Sequence, residues 1–251
     1  MISHDLCKVD FTRDQSEDPR FPHWPCPACG HGVLQLTGRS LRLALSAGMS
    51  FAIDLDPLAN FEAYGAFCGI MVCVNDACRQ GVVVIGDYST HTPEGMYSSG
   101  PGRSYEFPVE RKYVINAIHP AVRLITIPQQ SPPPILAPLE ESFALYWGHP
   151  QACAASIRTA IEGITDHLGQ PREVDRRYIP LAQRLKNLTP QHPDLAKVAT
   201  AIKDFGNIGA HGNTVEHEKL LAAYELVEIE LRLLFDDTDN RRDILLGKLK
   251  T

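Results

Sequence analysis

The sequence lacks the features by which several large classes of protein are recognised. Its first residues, Met-Ile-Ser-His-Asp-Leu, have neither the basic nor the apolar region of a secretory signal peptide. No apolar run approaches the roughly 20 residues that span a bilayer. The sequence contains no phosphate-binding loop of the G-x-x-x-x-G-K-[ST] type and no H-E-x-x-H pair of a zinc peptidase. We therefore expect a cytoplasmic protein with no membrane contact.

Positive charge is also scarce. Residues 1–130 carry 10 Lys and Arg against 13 Asp and Glu, and residues 131–251 carry 14 against 17, so each half has a net charge of −3. Neither half is a basic lobe that holds bulk nucleic acid through its phosphates. Any nucleic-acid contact would have to be local, and a solvated helix face is the simpler interpretation of the one basic cluster. That cluster contains Arg172, Arg176, Arg177, Arg184 and Lys186, diluted by Glu173 and Asp175.

The pattern of apolar residues changes near residue 130. Before it, short apolar runs between turn residues predict strands at residues 41–45, 66–74, 82–85 and 124–127. After it, apolar residues at helical spacing predict helices at residues 139–147, 150–168, 178–188, 193–205 and 215–235. The last of these is so apolar that we expect it at the centre of a bundle.

These patterns predict an α+β protein with three parts. Residues 1–127 form a strand-rich domain, and residues 128–138, which are rich in proline, form a stiff linker. Residues 139–251 form an all-α bundle of four to five helices.

Four of the seven cysteines have the spacing of zinc ligands. Cys26-Pro-Ala-Cys29-Gly30 places two thiols in one turn, and Cys73-Val-Asn-Asp-Ala-Cys78 supplies a second pair. A structural zinc ion takes four nitrogen or sulfur ligands in a tetrahedron, and a reducing compartment favours metal ligation over disulfides. We therefore expect Cys26, Cys29, Cys73 and Cys78 to bind one structural Zn²⁺ that folds the strand-rich domain.

Other assignments of the cysteines remain open. All four could be buried thiols without a metal, and His23 or His31, which flank the first pair, could replace one sulfur. Cys68 lies near the second pair without a partner, and we expect neither it nor Cys7 nor Cys153 to be a ligand. A catalytic zinc would keep one position open, and four available thiols argue against that role.

The helical half contains one glycine-rich phrase, Lys203-Asp-Phe-Gly206-Asn207-Ile-Gly209-Ala210-His211-Gly212. Asn207 and His211 lie four residues apart and would share a face if the helix continues between them. A helix end in which Asn207 caps and His211 bonds to backbone groups explains the phrase without any function. The alternative is that the two polar side chains form a functional site.

Together with other segments, this phrase resembles a known family. Residues 139–143, the run Arg158-Thr-Ala-Ile-Glu162, residues 181–188 and the Gly-Asn-x-x-Ala-His phrase are similar to the domain-of-unknown-function 4145 family, a branch of the HEPN helical superfamily. The Cys-Pro-x-Cys-Gly and Cys-x-Asn-x-x-Cys elements resemble the zinc-ribbon leader of many members. The resemblance implies a zinc-ribbon-like domain followed by a HEPN-like bundle, frequently dimeric, in which two copies of the motif face one another.

The resemblance also implies a chemistry. In active HEPN ribonucleases an Arg, a polar residue after it and a His a few positions on promote attack of a ribose 2′-hydroxyl on the adjacent phosphate, without metal. Here Gly206 stands where that motif has its Arg. Arg158 or Lys203 could supply the missing charge, although an i,i+4 ion pair with Glu162 is the structural alternative for Arg158. The candidate catalytic residues are His211, Asn207, Arg158, Lys203 and Glu162.

Three functions are compatible with the sequence. The first is a zinc-stabilised HEPN-like module that forms a homodimer through its helices and binds RNA, DNA or a protein partner; the resemblance implies a role in prokaryotic defence or restriction-type systems. The second is a metal-independent endoribonuclease that uses Asn207 and His211. The third is a catalytically inert regulator or sensor. We expect the first function, the binding module, because Gly206 cannot supply the positive charge of the arginine in the active motif.

Overall fold

A computed structural model of the chain describes residues 10–14, 21–38, 40–49, 63–91, 110–210 and 214–236. The chain divides into two compact units. We call the first the strand unit; it spans Ile2–Arg123 and includes Trp147–His149. The second, the helical unit, comprises Leu124–Tyr146 and Pro150–Thr251. The protein is therefore mixed α and β, with a strand-rich N-terminal part and a helical C-terminal part.

Six strands of the strand unit form one antiparallel sheet in the order β1–β6–β5–β4–β2, with β3 also paired to β4. Of the four predicted strands, three correspond to β3, β4 and β5, whereas residues 124–127 are not a strand. The apolar pattern missed the other three strands. The bounds are β1 (Asp10–Asp14), β2 (Leu34–Leu36), β3 (Arg42–Leu45), β4 (Tyr64–Cys73), β5 (Gly81–His91) and β6 (Glu110–His119).

One face of this sheet carries the core of the strand unit. The Phe67 ring lies against two other buried rings, with centroids 5.9 Å from Phe21 and 5.2 Å from Tyr113. On the opposite face, Ile70 of β4 pairs with Val83 of β5, and both side chains are more than 40% exposed. The alternation of strand residues therefore separates a packed face from an open apolar one.

Five helices form the described helical unit, and a two-stranded hairpin lies between the second and third of them. The core consists of apolar side chains at helical spacing, such as Ile157 and Ile161 of the second helix and Val227 and Leu231 of the last. The helices are α1 (Pro133–Leu145), α2 (Pro150–His167), α3 (Leu181–Leu188), α4 (Pro193–Ala210) and α5 (His217–Phe235), and the hairpin strands are β7 (Glu173–Val174) and β8 (Arg177–Tyr178).

The proline-rich segment differs from its predicted form. Residues 133–138, expected within a stiff linker, form the first half of α1. Pro133 and Pro134 stand in its first turn, where a missing backbone N–H leaves no helical bond unmade. Ile135 and Leu139, four residues apart, are fully buried. Helix α1 is therefore stabilised by its apolar face despite the three prolines within it.

The hairpin between α2 and α3 has an uncommon turn. Val174 pairs with Arg177, which leaves Asp175 and Arg176 as a two-residue loop. Both loop residues have positive φ, 49° and 61°, as type I′ turns require. Asp175 is among the residues that tolerate this conformation, whereas Arg176 adopts it against the usual residue preference. The predicted start of the third helix at residue 178 moves to Leu181 for this reason.

Candidate functional site

The first cysteine pair lies in the turn that leads into β2. Cys26 N donates a hydrogen bond to Gly32 O at 2.7 Å, and Gly30 N donates to Cys26 O at 2.9 Å. A bridge between Pro25 and Val33 closes the turn. These backbone bonds hold both thiols of the Cys-Pro-Ala-Cys segment in one turn.

The second pair lies at the end of β4. Cys78 N and Arg79 N both donate to Asn75 O, at 2.9 and 3.0 Å, and form a tight turn after the strand. The pairing of β2 with β4 sets Leu34 opposite Cys73, which brings this turn beside the first pair. Sheet register therefore joins two pairs that are separated by 43 intervening residues in the sequence.

The four sulfur atoms form one compact cluster, in which all lie within 4.8 Å of one another. The Cys26 and Cys78 Sγ atoms are 3.7 Å apart, and the Cys29 and Cys73 Sγ atoms are 3.8 Å apart. These distances exceed by far the disulfide length of about 2.05 Å. They match the edge of about 3.8 Å that a tetrahedron has when each zinc–sulfur bond is about 2.3 Å. The cluster could hold a metal ion and is compatible with zinc.

The surroundings of the sulfurs favour thiolate at one position. Backbone N–H groups of Gly32 and His31 lower the pKa of Cys29 to about 6, and Gly32 N lies 3.4 Å from Cys29 Sγ. Burial raises the pKa of Cys73 to about 12. A bound cation would stabilise the thiolate at every position, because metal ligation requires deprotonated sulfur.

Gly32 lies directly beside the sulfur cluster, and the spacing of the cysteines did not predict this contact. A Cβ at this position would lie 2.4 Å from Cys73 Sγ and 3.0 Å from Asn75 Cβ, so only glycine fits. The Asn75 amide nitrogen lies 3.9 Å from Cys29 Sγ and is also part of the surroundings of the cluster. The feature of the sequence that could have indicated the role of Gly32 is its position three residues after the second cysteine.

The remaining cysteines lie elsewhere. Cys68 is exposed on the open face of β4, and Cys7 lies outside the described residues. Cys153 is buried in the helical unit, with its thiol 3.2 Å from the Tyr224 hydroxyl, and burial raises its pKa to about 12. Within the described residues, the cluster of close ligand atoms contains neither His23 nor His31.

The glycine-rich phrase of the helical half is described only in part. Asn207 is exposed on α4, whereas His211 lies outside the described residues. Whether Asn207 and His211 share a face therefore stays a prediction. Lys203 is 17% exposed, and its ammonium group lies 2.8 Å from the carboxylate of Asp204.

Gly206, where the family's active motif has Arg, is a buried contact between α4 and α2. A Cβ at this position would lie 2.7 Å from Arg158 Cβ and 3.1 Å from Ala154 O. The side chain of Arg158 therefore lies across the glycine. It carries a charge close to the motif, but that charge is paired: Arg158 Nη1 lies 2.9 Å from Glu162 Oε1, and Glu162 is only 12% exposed. The interpretation of Arg158 and Glu162 as an i,i+4 ion pair describes this geometry.

Comparison with protein families gives a match for each part of the chain. Residues 140–246 match the family model described as Domain of unknown function (DUF4145). This match covers most of the helical unit. Residues 14–103 match a second model, Domain of unknown function (DUF8608). No curated protein and no solved structure matches the chain. No helix in the described part of the chain is both long and apolar enough to span a membrane.

The helical unit contains a network of charges that continues from the Arg158–Glu162 pair. Arg172 joins Glu162 and Asp166 of α2, at 3.3 and 2.9 Å. Arg184 of α3 pairs with Asp166 and donates hydrogen bonds to Gln170 O at 2.7 Å and Glu162 O at 3.2 Å. Since the Arg184 side chain is only 2% exposed, this residue fixes the end of α2 to α3. The basic cluster of the sequence is therefore in part structural.

Proposed function

We propose that the chain is a zinc-stabilised binding protein, in which the DUF4145 domain is a HEPN-like bundle that dimerises and binds nucleic acid. The zinc part rests on one observation, a cluster of four sulfurs that all lie within 4.8 Å of one another and in which two separations, 3.7 and 3.8 Å, match the edge of a zinc tetrahedron. Four thiolates close the coordination shell and leave no position for water or substrate, so the ion would be structural.

Metal analysis of the purified protein tests this part. We expect one zinc per chain for the wild type, and a Co²⁺-substituted protein with the intense visible absorption of tetrahedral thiolate ligation. Cys73→Ser removes a buried ligand and should lower the zinc content to a small fraction, whereas Cys68→Ser, on the same strand and exposed, should keep it. Equal zinc contents in both variants, or none in the wild type, would contradict the proposal.

The proposal of binding without catalysis rests on the charges near Gly206. An active site of the implied kind needs a free cation beside Asn207 to hold a phosphate. Arg158 is instead held by Glu162 at 2.9 Å, and Lys203 by Asp204 at 2.8 Å. We expect no cleavage of RNA in EDTA. Cleavage that disappears in His211→Ala would overturn this and support the ribonuclease.

A local nucleic-acid contact is supported by the β7–β8 hairpin. Arg176 at its tip and Arg177 beside it are exposed, and neither forms an ion pair with another described residue. The Tyr178 side chain is 68% exposed. Unpaired guanidinium groups bind phosphates, and an exposed aromatic ring stacks on an unpaired base. The hairpin thus offers both elements of single-strand binding on a protein whose net charge is −6.

Binding of single-stranded RNA and DNA at several salt concentrations tests the hairpin. Arg176→Ala/Arg177→Ala should weaken binding and reduce the slope of log K against log[salt] by about 1–2, because each phosphate contact contributes about 0.7–0.9 to that slope. The control Lys197→Ala/Lys219→Ala removes the same charge from exposed positions on α4 and α5 and should change the slope little. No affinity at low salt would overturn nucleic-acid binding and leave a protein partner as the alternative.

A further inference from the structure

Helix α5 has a second apolar stripe, which the described residues of the helical unit cover only in part. We call it the α5 seam; it consists of Ala222, Leu226, Ile229 and Leu233. Ile229 is 49% exposed and Leu233 76%, the highest exposure of any large apolar side chain in the described residues. A position for α5 at the centre of a bundle, expected from its composition, would have buried both. The stripe therefore needs an explanation other than the core.

The seam has the geometry of a helix-pairing surface. Its residues follow one another at intervals of four, three and four, the repeat that coiled coils present to a partner helix. At about 3.6 residues per turn they lie within an arc of roughly 60°. The apolar residues that α5 buries in its own unit lie on the other side of the helix: Leu220, Ala223, Tyr224, Val227, Leu231 and Phe235. The seam can accept a second helix without disturbing that packing.

We propose that the α5 seam binds the α5 seam of a second copy of this chain, in antiparallel orientation. The inference rests on the proposed function, since it assigns a surface to the dimer proposed there. Two equal, narrow apolar stripes are self-complementary across a two-fold axis, as a homodimer requires. Pairing them removes Leu233 and Ile229 of both copies from water, and the hydrophobic effect stabilises the pair.

The charges beside the seam select the orientation. Glu225 and Arg232 lie along the same border of the seam, seven residues apart. In an antiparallel pair this border meets its own copy, so Glu225 of each chain faces Arg232 of the other. In a parallel pair this border would face the opposite border of the partner, so Glu225 would not meet Arg232 of the other chain. Arg232 also bonds to Glu228 at 2.6 Å, yet it remains 48% exposed and keeps other donors free.

Sedimentation velocity of the full-length protein over a range of concentrations tests the seam. We expect a species of twice 27.8 kDa that dissociates on dilution. Ile229→Glu/Leu233→Glu places carboxylates in the seam and should raise the dissociation constant at least tenfold. The control Ala182→Glu/Ala201→Glu adds the same charge at exposed positions of α3 and α4 and should leave the dimer unchanged.

A charge exchange tests the antiparallel orientation. Glu225→Arg and Arg232→Glu each place like charges across the interface and should each weaken the dimer. The double variant restores opposite charges and should recover the wild-type dissociation constant. A double variant weaker than both single variants would overturn the orientation.

Two results would overturn the proposal as a whole, and they can be told apart from failure of the proposed function. A wild-type protein that is monomeric at every concentration excludes a second copy as the occupant of the seam. A dimer that persists in Ile229→Glu/Leu233→Glu excludes the seam but leaves dimerisation intact. Zinc content and nucleic-acid affinity, measured on the same samples, report on the other parts of the proposed function independently.

Discussion

The strand unit and the helical unit differ in what stabilises them. In the strand unit a sheet covers its core on one face only, and two turns are joined by a cluster of four thiols. In the helical unit five helices bury apolar side chains around α2 and α5, and a buried arginine connects α2 to α3. A sheet with one open apolar face buries less surface per residue, so it gains more from a metal cross-link. The comparison predicts that the two units respond to different perturbations.

Loss of a metal ligand should have the largest effect, and only on the strand unit. Structural zinc in small zinc-finger peptides contributes apparent binding free energies of about 10–16 kcal/mol near neutral pH, and this binding is coupled to folding. Cys73→Ser, or removal of the metal by a chelator, should therefore unfold or loosen residues 21–91 and 110–119. Hydrogen exchange with mass spectrometry should show lost protection there and unchanged protection in α2, α4 and α5. Equal loss in both units would contradict the comparison.

Removal of Arg184 should have the next largest effect, and only on the helical unit. Arg184→Met keeps the volume but leaves the Asp166 carboxylate and two backbone carbonyls without this donor. Breaking a buried ion pair from one side costs about 3–5 kcal/mol, and we expect the lower end because Arg172 still pairs with Asp166. Exchange of the α2 and α3 amides measures the loss.

Arg172→Met is the matched control for Arg184. Arg172 pairs with the same Asp166 carboxylate and with that of Glu162, but its side chain is 45% exposed. Exposed ion pairs contribute about 0–1 kcal/mol, so the control should lower the stability of the helical unit much less. Equal losses in the two variants would show that burial is not what makes Arg184 important.

A methyl group at Gly206 should destabilise the packing of α4 on α2 by a smaller amount. In Gly206→Ala the new Cβ would lie 2.7 Å from Arg158 Cβ, an atom that no rotamer change can move. Overpacking costs about 1–3 kcal/mol, against a gain of about 1 kcal/mol in helix propensity. We expect a net loss, measured by denaturant unfolding, whereas exposed Asn207→Ala should change the midpoint little. A Gly206→Ala variant that is more stable than the wild type would contradict the close contact between Gly206 and Arg158.

The smallest effect should come from Glu230, one of the two glutamates that α5 buries; the other is Glu228. Burial, with a contribution from Asp194, raises the pKa of Glu230 above 4.5. The folded state then binds the proton more tightly than the unfolded state, so this stabilisation is complete below about pH 4.5 and is lost as pH rises through the raised pKa. Glu230→Gln should raise the melting temperature at neutral pH and lose that advantage near pH 4. Glu218→Gln, exposed on the same helix, should show no such pH dependence.

The sequence predicted the ligand cluster because the pairing of cysteines is local. Two thiols in one turn can be read from a spacing of three or five residues, and the two pairs proved to be neighbours. The two pairs are brought together because Leu34 of β2 lies opposite Cys73 of β4, and this pairing depends on the sheet register. The strand β2 has only three residues and gives too short a pattern to be predicted. Gly32 was missed for the same reason, since its neighbour Cys73 is distant in sequence.

In the helical half, the spacing of apolar residues predicted α2, α4 and α5. The first half of α1 was not predicted, because its proline content was given more weight than its apolar spacing. The prolines of residues 132–138 suggested a linker, although the spacing of Ile135, Leu139 and Phe143 was already helical. Arg184 shows a different limit. It was assigned to a solvated face because its partners, Asp166 and two carbonyl groups at the end of α2, become visible only when the helices pack.

One contact inside the strand unit makes the order in which the chain is synthesised relevant to the folding of that unit. Trp24 is fully buried, and its ring packs edge-on against Trp147, with centroids 5.4 Å apart. Both rings belong to the strand unit, yet Trp147 follows α1 in the chain. A ribosome therefore releases the sheet and the cysteine pairs well before the residue that completes their core. The core of the strand unit is therefore complete only after part of the helical sequence has been synthesised. A fragment that ends before residue 147 lacks the ring that packs against Trp24.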